Sequence, residues 1–501
     1  MDAPLGIPTL KNRTAFWLVT AILTGGIIMG LELVAFRLYA PYFGYSIYVW
    51  GSMISVVMVA LSAGYVLGGW VADRSRTDVA LYSIILLSGA YQLVILFVYR
   101  TILRGLWQSG EFAGTTLATL VIFVVPMTTL AATSPYVIRL LARSGHIGLT
   151  AGRVYALSTA GSIAGVLGTS FYLVPRLGTH ATLQILCGVS VLTGVSGLVA
   201  RRRTAAIALL LLGFLPFVPQ WRLPAGTVWR TESVYNLVWV MRTGNLLWLV
   251  LNDPHYAHTR RDESTGWSGY YQDAFALGPL LVQDRHMLVL GMGAGGSIAA
   301  ARRTAPELEI DAVEIDPKVV EAGKRFFAIR PDDPLLHIHV ADARPWLARQ
   351  GRRYGLVQLD LYQGGPYVPF YLLTTEFFSL VRSRMADDGL LMMNVFDVSP
   401  DRPLLASTGA TLKRVFPFLA VWARADGNHI VFAFCRERTI LSIRAAMERA
   451  SEASRLSELT GAAAAQVEAF APRSDALVFT DDRAPVEEMT RQTLLAARGR
   501  R

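Results

Sequence analysis

The stretch His286-Met-Leu-Val-Leu290-Gly291-Met-Gly293-Ala-Gly295-Gly296 sets a short apolar run against a glycine-rich turn. An apolar run of that length, closed by glycines, reads as a buried strand. The turn opens a helix predicted to continue through Arg303. Glycines there permit a tight turn and close approach of the backbone to a ligand, which makes Gly291, Gly293 and Gly296 candidate binding positions. Taken alone, such a turn can also serve packing only.

Outward from this unit the strand-then-helix alternation repeats. Ile310–Val313 is a strand ending in Glu314-Ile-Asp316-Pro317, His337–Val340 one ending in Asp342-Ala343-Arg344, and Leu356–Leu359 one ending at Asp360. Gly389–Val395 and His429–Phe434 complete a largely parallel sheet. The alternation predicts a doubly wound, Rossmann-like α/β fold of the methyltransferase type, with its ligand across the carboxyl ends of the strands. Upstream, Trp229–Leu251 reads as a strand meander with a turn at Asn252-Asp253-Pro254, and a helix is predicted from near Gly269, carrying Tyr270, Tyr271, Gln272, Phe275 and Leu280.

Glu314 lies near the spacing of about 20 residues at which an acid meets ribose hydroxyls, which suits nicotinamide and adenosyl-methionine cofactors equally. Asp342, directly after the third strand, shifts the balance, because a carboxylate there can accept from an adenine amino group. Asp360 then stands where a reactive carbon would lie. Each acid also reads as a helix cap or turn residue. Three acids at three successive strand ends favour a shared adenosyl-sulfonium ligand.

The chain has 53% hydrophobic and 17% charged residues, and the apolar excess is concentrated before about Pro219. Candidate membrane spans are Phe16–Leu38, Trp50–Val71, Val79–Val98, Thr116–Ile138, Val154–Val174, Ala181–Ala200 and Thr204–Val218, most near the roughly 20 residues that cross hydrocarbon. The last is short and contains Pro216, so six or seven spans are expected. The first is followed by further spans and reads as a membrane helix, not a cleaved signal.

Arg and Lys flank alternate loops (Lys11 and Arg13; Arg74 and Arg76; Arg139, Arg143 and Arg153; Arg201–Arg203), which puts the N-terminus in the cytoplasm. The net charge of +10 is read as this topology, since no nucleic-acid motif accompanies it. Gly26/Gly30, Gly64/Gly68 and Gly161/Gly165 are spaced for close helix packing. Glu32, inside the first span, is read equally as the partner of Arg37 and as a site for a cationic ligand. Neither Cys187 nor Cys435 has a metal-ligand spacing, and His337 and His339 lack further ligands, so no metal is expected. The expected divisions are a membrane domain over 1–219, a meander and connecting helix over 220–285, and an α/β domain over 286–501.

Several motifs together resemble the spermidine synthase (polyamine aminopropyltransferase) family, in its bacterial membrane-fused branch. They are Glu32-Leu-Val-Ala-Phe-Arg37 through Gly44, Gly64 through Arg74, Gly269-Tyr-Tyr271-Gln272-Asp273, Val313 through Pro317, Ala341 through Arg344, Asp360-Leu-Tyr362-Gln363 with Pro369 and Thr375-Glu376-Phe377-Phe378, and Thr480 through Glu487. The resemblance implies transfer of an aminopropyl group from decarboxylated S-adenosylmethionine to a diamine such as putrescine, in a bacterial inner membrane; six spans leave the catalytic domain cytoplasmic, which an adenosyl cofactor made in the cytoplasm favours, whereas a full seventh would export it. It implies Asp360 as the base, Tyr271 and Gln272 orienting the amine, Glu314 on the ribose, Asp342 and Ala343 on adenine, and Tyr362 and Gln363 near the acceptor. A protonated diamine must lose a proton before it attacks, which is why a carboxylate is needed.

Two positions depart from the family pattern: Ala294 replaces an acid that grips the donor's amino group, and Gln363 replaces a second acid of the catalytic loop. Intact S-adenosylmethionine, and hence methyl transfer, is the alternative reading. A polyamine-binding transporter or sensor with a degenerate domain is another. Partners implied are the polyamine substrate and the lipid bilayer, without nucleic acid; a homo-oligomer is left open.

Overall fold

The computed structural model describes residues 10–44, 46–75, 77–142, 147–198, 225–252, 256–448 and 454–498. The chain divides into two compact units, Met1–Leu223 and Pro224–Arg501. The seventh candidate span, the basic run at 201–203 and the Asp253-Pro254 turn lie outside the described residues.

In the first unit, α1 (Leu10–Phe43), α2 (Ile47–Arg74) and α3 (Val79–Leu106) are single helices. The fourth expected span is instead three: α4 (Glu111–Ile122), α5 (Val124–Ala131) and α6 (Thr133–Leu141). Proline explains both breaks. Pro126 cannot bond the carbonyl of Ile122, where α4 ends, and Pro135 cannot bond that of Ala131, where α5 ends.

α7 (Ile147–Gly168) runs through a π-turn into α8 (Val174–Leu198), interrupted at Gly178 with φ 83° and ψ 165°. Gly26 and Gly30 of α1 meet Gly161 of α7 and Thr169 of the π-turn that follows it in parallel order, whereas Leu86 and Gly89 of α3 meet Gly194 and Val191 of α8 in reverse order. With Trp17 bonded to Asp78 at one end and Phe43 near Leu106 at the other, α1 and α3 are parallel. The chain therefore reverses at Gly178. The glycine pairs do pack closely: a Cβ on Gly161 or Gly165 would run into the backbone of Ile22 or Gly26, and one on Gly64 into that of Thr128. Among the described residues, five helical stretches are long and apolar enough to cross a membrane by length and composition, and the fifth, Ile147–Leu198, contains this reversal.

The second unit opens with the antiparallel meander β1 (Thr227–Glu232), β2 (Leu237–Thr243), β3 (Leu246–Leu251) and β4 (Ala257–Asp262). Asp316, fully buried, ties it to the larger sheet by accepting from the Ser233 hydroxyl at 2.6 Å and the Asn236 amide at 2.9 Å. That sheet comprises β5 (His286–Leu290), β6 (Glu309–Glu314), β7 (Leu336–Val340), β8 (Tyr354–Leu359), β9 (Met385–Phe396), β10 (Phe418–Trp422), β11 (Asn428–Phe434) and β12 (Glu468–Ala469). Its order is β12-β10-β11-β9-β8-β5-β6-β7. The run from β9 to β7 is parallel and the β11, β10 and β12 edge antiparallel. Helices cover both faces, as expected of the fold class.

The helix expected from near Gly269 is a 3-10 turn, Tyr271–Leu277, followed by a short α-helix, Gly278–Leu281. Gly269 is left-handed at φ 60°, and the Asp273 carboxylate holds the Ser268 and Gly269 N–H groups. Pro279 then removes the donor that a continuing helix needs.

Candidate active site

Register brings the three acids together. Leu290 of β5 pairs with Val313 of β6 and Leu359 of β8, and Glu314 pairs with Val340 of β7. Gly291, Glu314, Asp342 and Asp360 thus stand at the carboxyl ends of four neighbouring strands. Gly291 has φ 82°, and a Cβ there would strike the carbonyl oxygen of Asp360. Only glycine lets the first turn pass so close to the β8 terminus. The positions predicted for the α/β unit line one cavity: Tyr271, Gln272, Gly291, Gly293, Gly296, Glu314, Asp342, Ala343, Asp360, Tyr362 and Gln363. No Lys or Arg is among the described lining residues.

The acids are held differently. Glu314 accepts from the N–H groups of Gly293 at 3.0 Å and Asp316 at 3.1 Å, so the glycine turn and the next helix fix both oxygens. Burial nevertheless pushes its pKa up to about 7 against those bonds. Asp342 caps the helix Ala343–Arg349 by accepting from the Arg344 N–H at 3.1 Å through Oδ1. The cap and ligand readings are therefore compatible, since a carboxylate has a second oxygen. Asp360 accepts from the Tyr271 hydroxyl at 2.8 Å and the Asn394 amide at 3.4 Å. Burial raises its pKa to about 7, opposed by these two donors. Tyr271, deeply buried beside it, is held well above the usual tyrosine range by burial first and the neighbouring carboxylate second.

Other predicted residues reach the cavity with their polar groups already engaged. The Gln272 amide donates to the His258 carbonyl at 2.6 Å and accepts from the Arg260 N–H at 3.2 Å, holding β4 against the site. The Tyr362 hydroxyl donates to the Asn394 carbonyl and accepts from the Phe396 N–H, fastening the loop after β8 to β9. Ala294 is fully buried and packs with Val319, Ala322 and Phe327, outside the cavity lining.

Asp481 clamps the rim: it pairs with Arg344 at 2.8 and 2.5 Å and accepts from Thr374 at 2.7 Å, while Arg344 also donates to the Tyr371 carbonyl. His337 and His339 pair with Glu309 and Asp311. No metal-binding group occurs among the described residues.

Sequence reading missed Asn394, Asn428 and Tyr371. Asn394 interrupts the apolar run Leu390-Leu-Met-Met-Asn394-Val, and a lone amide inside a central strand is the signal that could have marked it.

Residues 270–439 match the family described as "Spermine/spermidine synthase domain". Over that segment this chain resembles the family. It is 26% identical over 281 residues to the probable polyamine aminopropyl transferase of Bifidobacterium longum, covering 51% of this chain and 60% of the relative. It is also 29% identical over 161 residues to the human eEF1A lysine and N-terminal methyltransferase, covering 30% of this chain and 22% of that protein. A solved probable spermidine synthase from Corynebacterium glutamicum aligns with 19% identity and a TM-score of 0.39, covering 52% of this chain and 97% of the other. The synthase domain match ends at residue 439, so the Asp481 clamp on its rim comes from outside the matched segment.

Proposed function

We propose that this chain is a membrane-anchored aminopropyltransferase that moves the aminopropyl group of decarboxylated S-adenosylmethionine to a primary amine, with putrescine, giving spermidine, as the reference acceptor. The observation that carries this is the Asp360–Tyr271 pair, set in one cavity with Glu314 and Asp342. A base near 7 is better matched to an ammonium than an aspartate near 4. The amine nitrogen bonds to the propyl carbon as the carbon–sulfur bond breaks. The electron pair stays on sulfur, which becomes the neutral thioether of methylthioadenosine, and Asp360 takes the proton that the ammonium sheds. The sulfonium is a good leaving group, which leaves positioning and deprotonation to the protein.

Charge supports the decarboxylated donor. It carries a sulfonium and an ammonium, whereas the intact compound adds a carboxylate, and the described lining residues include three carboxylates and no Lys or Arg. Methyl transfer is the second reading, favoured by Ala294, which leaves the donor's amino group without the family's acid. Full-length protein in detergent, given both donors and a panel of amines, decides by mass spectrometry. Aminopropylated amine with methylthioadenosine is expected; methylated product, or binding without turnover, would sink the proposal.

For location we propose a bacterial inner membrane with the synthase domain cytoplasmic. Six alternating passes return the chain at Leu198 to the side where Leu10 begins, and Arg74 and Arg139 lie at that same end. Reporter fusions after Arg501 that are active only on the outer side of the membrane would overturn this.

A further inference from the structure

A recess adjoins the main cavity through Tyr271 and Tyr362 and opens behind Asp360. Aromatic rings wall it: Tyr270 lies against Tyr271 at 4.7 Å between centroids, and Tyr256 meets Phe396 edge-on at 6.4 Å. Its floor is two side-chain amides, Asn394 and Asn428, which are 2% and 3% exposed. Asp360 sets their orientation. The Asn394 amide nitrogen faces the Asp360 carboxylate at 3.4 Å and the Asn428 carbonyl oxygen at 3.3 Å, because turning Asn394 over would set its oxygen against two acceptors, and turning Asn428 over would set two N–H donors against each other. That arrangement leaves one acceptor, Asn394 Oδ1, and one donor, Asn428 Nδ2, buried without a partner. The Tyr270 hydroxyl stands beside Asn428; burial raises its pKa and the Asn428 side chain lowers it.

No carboxylate lines the recess among the described residues. The nearby ones are engaged, Asp360 with Tyr271 and Asn394. Asp397 accepts from the Ser399, Leu404 and Leu405 N–H groups and from Thr493, and Asp426 is paired with Arg424 and the Asn428 N–H. A second ammonium placed here would lose water without gaining a counter-ion, and it could use only the orphaned acceptor. A hydroxyl or primary amide can use both the acceptor and the donor.

Resting on the aminopropyl-transfer reading, we propose that this recess selects a primary amine whose far end is a neutral hydrogen-bonding group, an amino alcohol in preference to a diamine. Asn394 and Asn428 are its specificity-determining residues.

The test compares 4-aminobutan-1-ol, putrescine and butylamine as acceptors, using the full-length protein and decarboxylated donor. The amino alcohol is expected to exceed putrescine at least tenfold in kcat/KM and to exceed butylamine. Asn428→Asp, which supplies the missing carboxylate, is expected to move the ratio toward putrescine by at least tenfold. Equal or better use of putrescine by the unmodified protein overturns the inference while leaving aminopropyl transfer intact. If no amine is aminopropylated, that reading fails by itself, and calorimetry on protein saturated with methylthioadenosine still decides the recess. Tighter binding of 4-aminobutan-1-ol than of putrescine supports it; the reverse, or no binding of either, overturns it.

Discussion

The Tyr271 hydroxyl donates to Asp360 Oδ2 across 2.8 Å, linking the 3-10 turn before the large sheet to the carboxyl end of β8. The bond holds the carboxylate against the burial that drives it toward protonation. Asp360→Asn is expected to lower kcat/KM for the amine by about 10²–10⁴, the usual contribution of a positioned base. In the unmodified protein kcat/KM should rise with pH through about 7, as Asp360 ionises. Tyr271→Phe removes a donor that stabilises the ionised form, so its midpoint should move upward. A downward or unchanged midpoint, read from initial rates across pH 5–9, contradicts this role for Tyr271.

Stability should fall as pH rises in the ligand-free protein. Asp360 and Glu314 both have folded pKa values raised to about 7, against about 4 in an unfolded chain. Below about pH 4 both states hold the protons. Between about 4 and 7 only the unfolded chain releases them, so the folded state is progressively penalised, and above 7 the penalty is constant. Thermal scans should therefore show a lower midpoint at pH 8 than at pH 5, with a smaller gap in Asp360→Asn and in Glu314→Gln. Parallel curves for all three proteins would count against the raised carboxylates.

Glu314→Gln keeps the shape but loses the charge that two backbone N–H groups orient. One glutamine atom then presents N–H to a donor. An orphaned buried group costs about 1–3 kcal/mol, so methylthioadenosine binding should weaken roughly 10- to 100-fold. The donor KM should rise far more than kcat falls, which titration calorimetry and steady-state rates can check.

Asp481→Ala should loosen the cavity rim, because Arg344 and Thr374 lose their shared partner and the Tyr371 carbonyl loses a well-placed donor. Arg344 and Asp481 are partly exposed, so the stability loss should stay near 1 kcal/mol. Hydrogen exchange should rise at residues 370–374 and 342–346 more than elsewhere. Exchange unchanged at both segments would remove Asp481 from this role.

Much of the α/β unit was legible along the chain. Strands β5 to β9 and β11 announce themselves as apolar runs closed by glycine or acid, and the acids at their ends need only the direction of a parallel sheet to converge. β10 escaped notice because Phe418-Leu-Ala-Val-Trp422 carries no turn chemistry of its own and is defined by its pairing with β11. In the helical unit, apolar composition marked where the long helices run. Pro126 and Pro135 were readable as breaks, yet an unbroken fourth span was expected because hydropathy averages over them.

Local patterns determined the fold class, the glycine turn and the positions of Glu314, Asp342 and Asp360, since strand period, turn residues and strand ends are properties of neighbouring residues. The tertiary structure alone decided that Tyr271 and Asn394 hold Asp360, with Asn428 beside Asn394, and that the Gln272 amide is taken by β4. Those contacts join segments distant in sequence, and their partners follow from strand order and register, which pairing across the whole sheet selects.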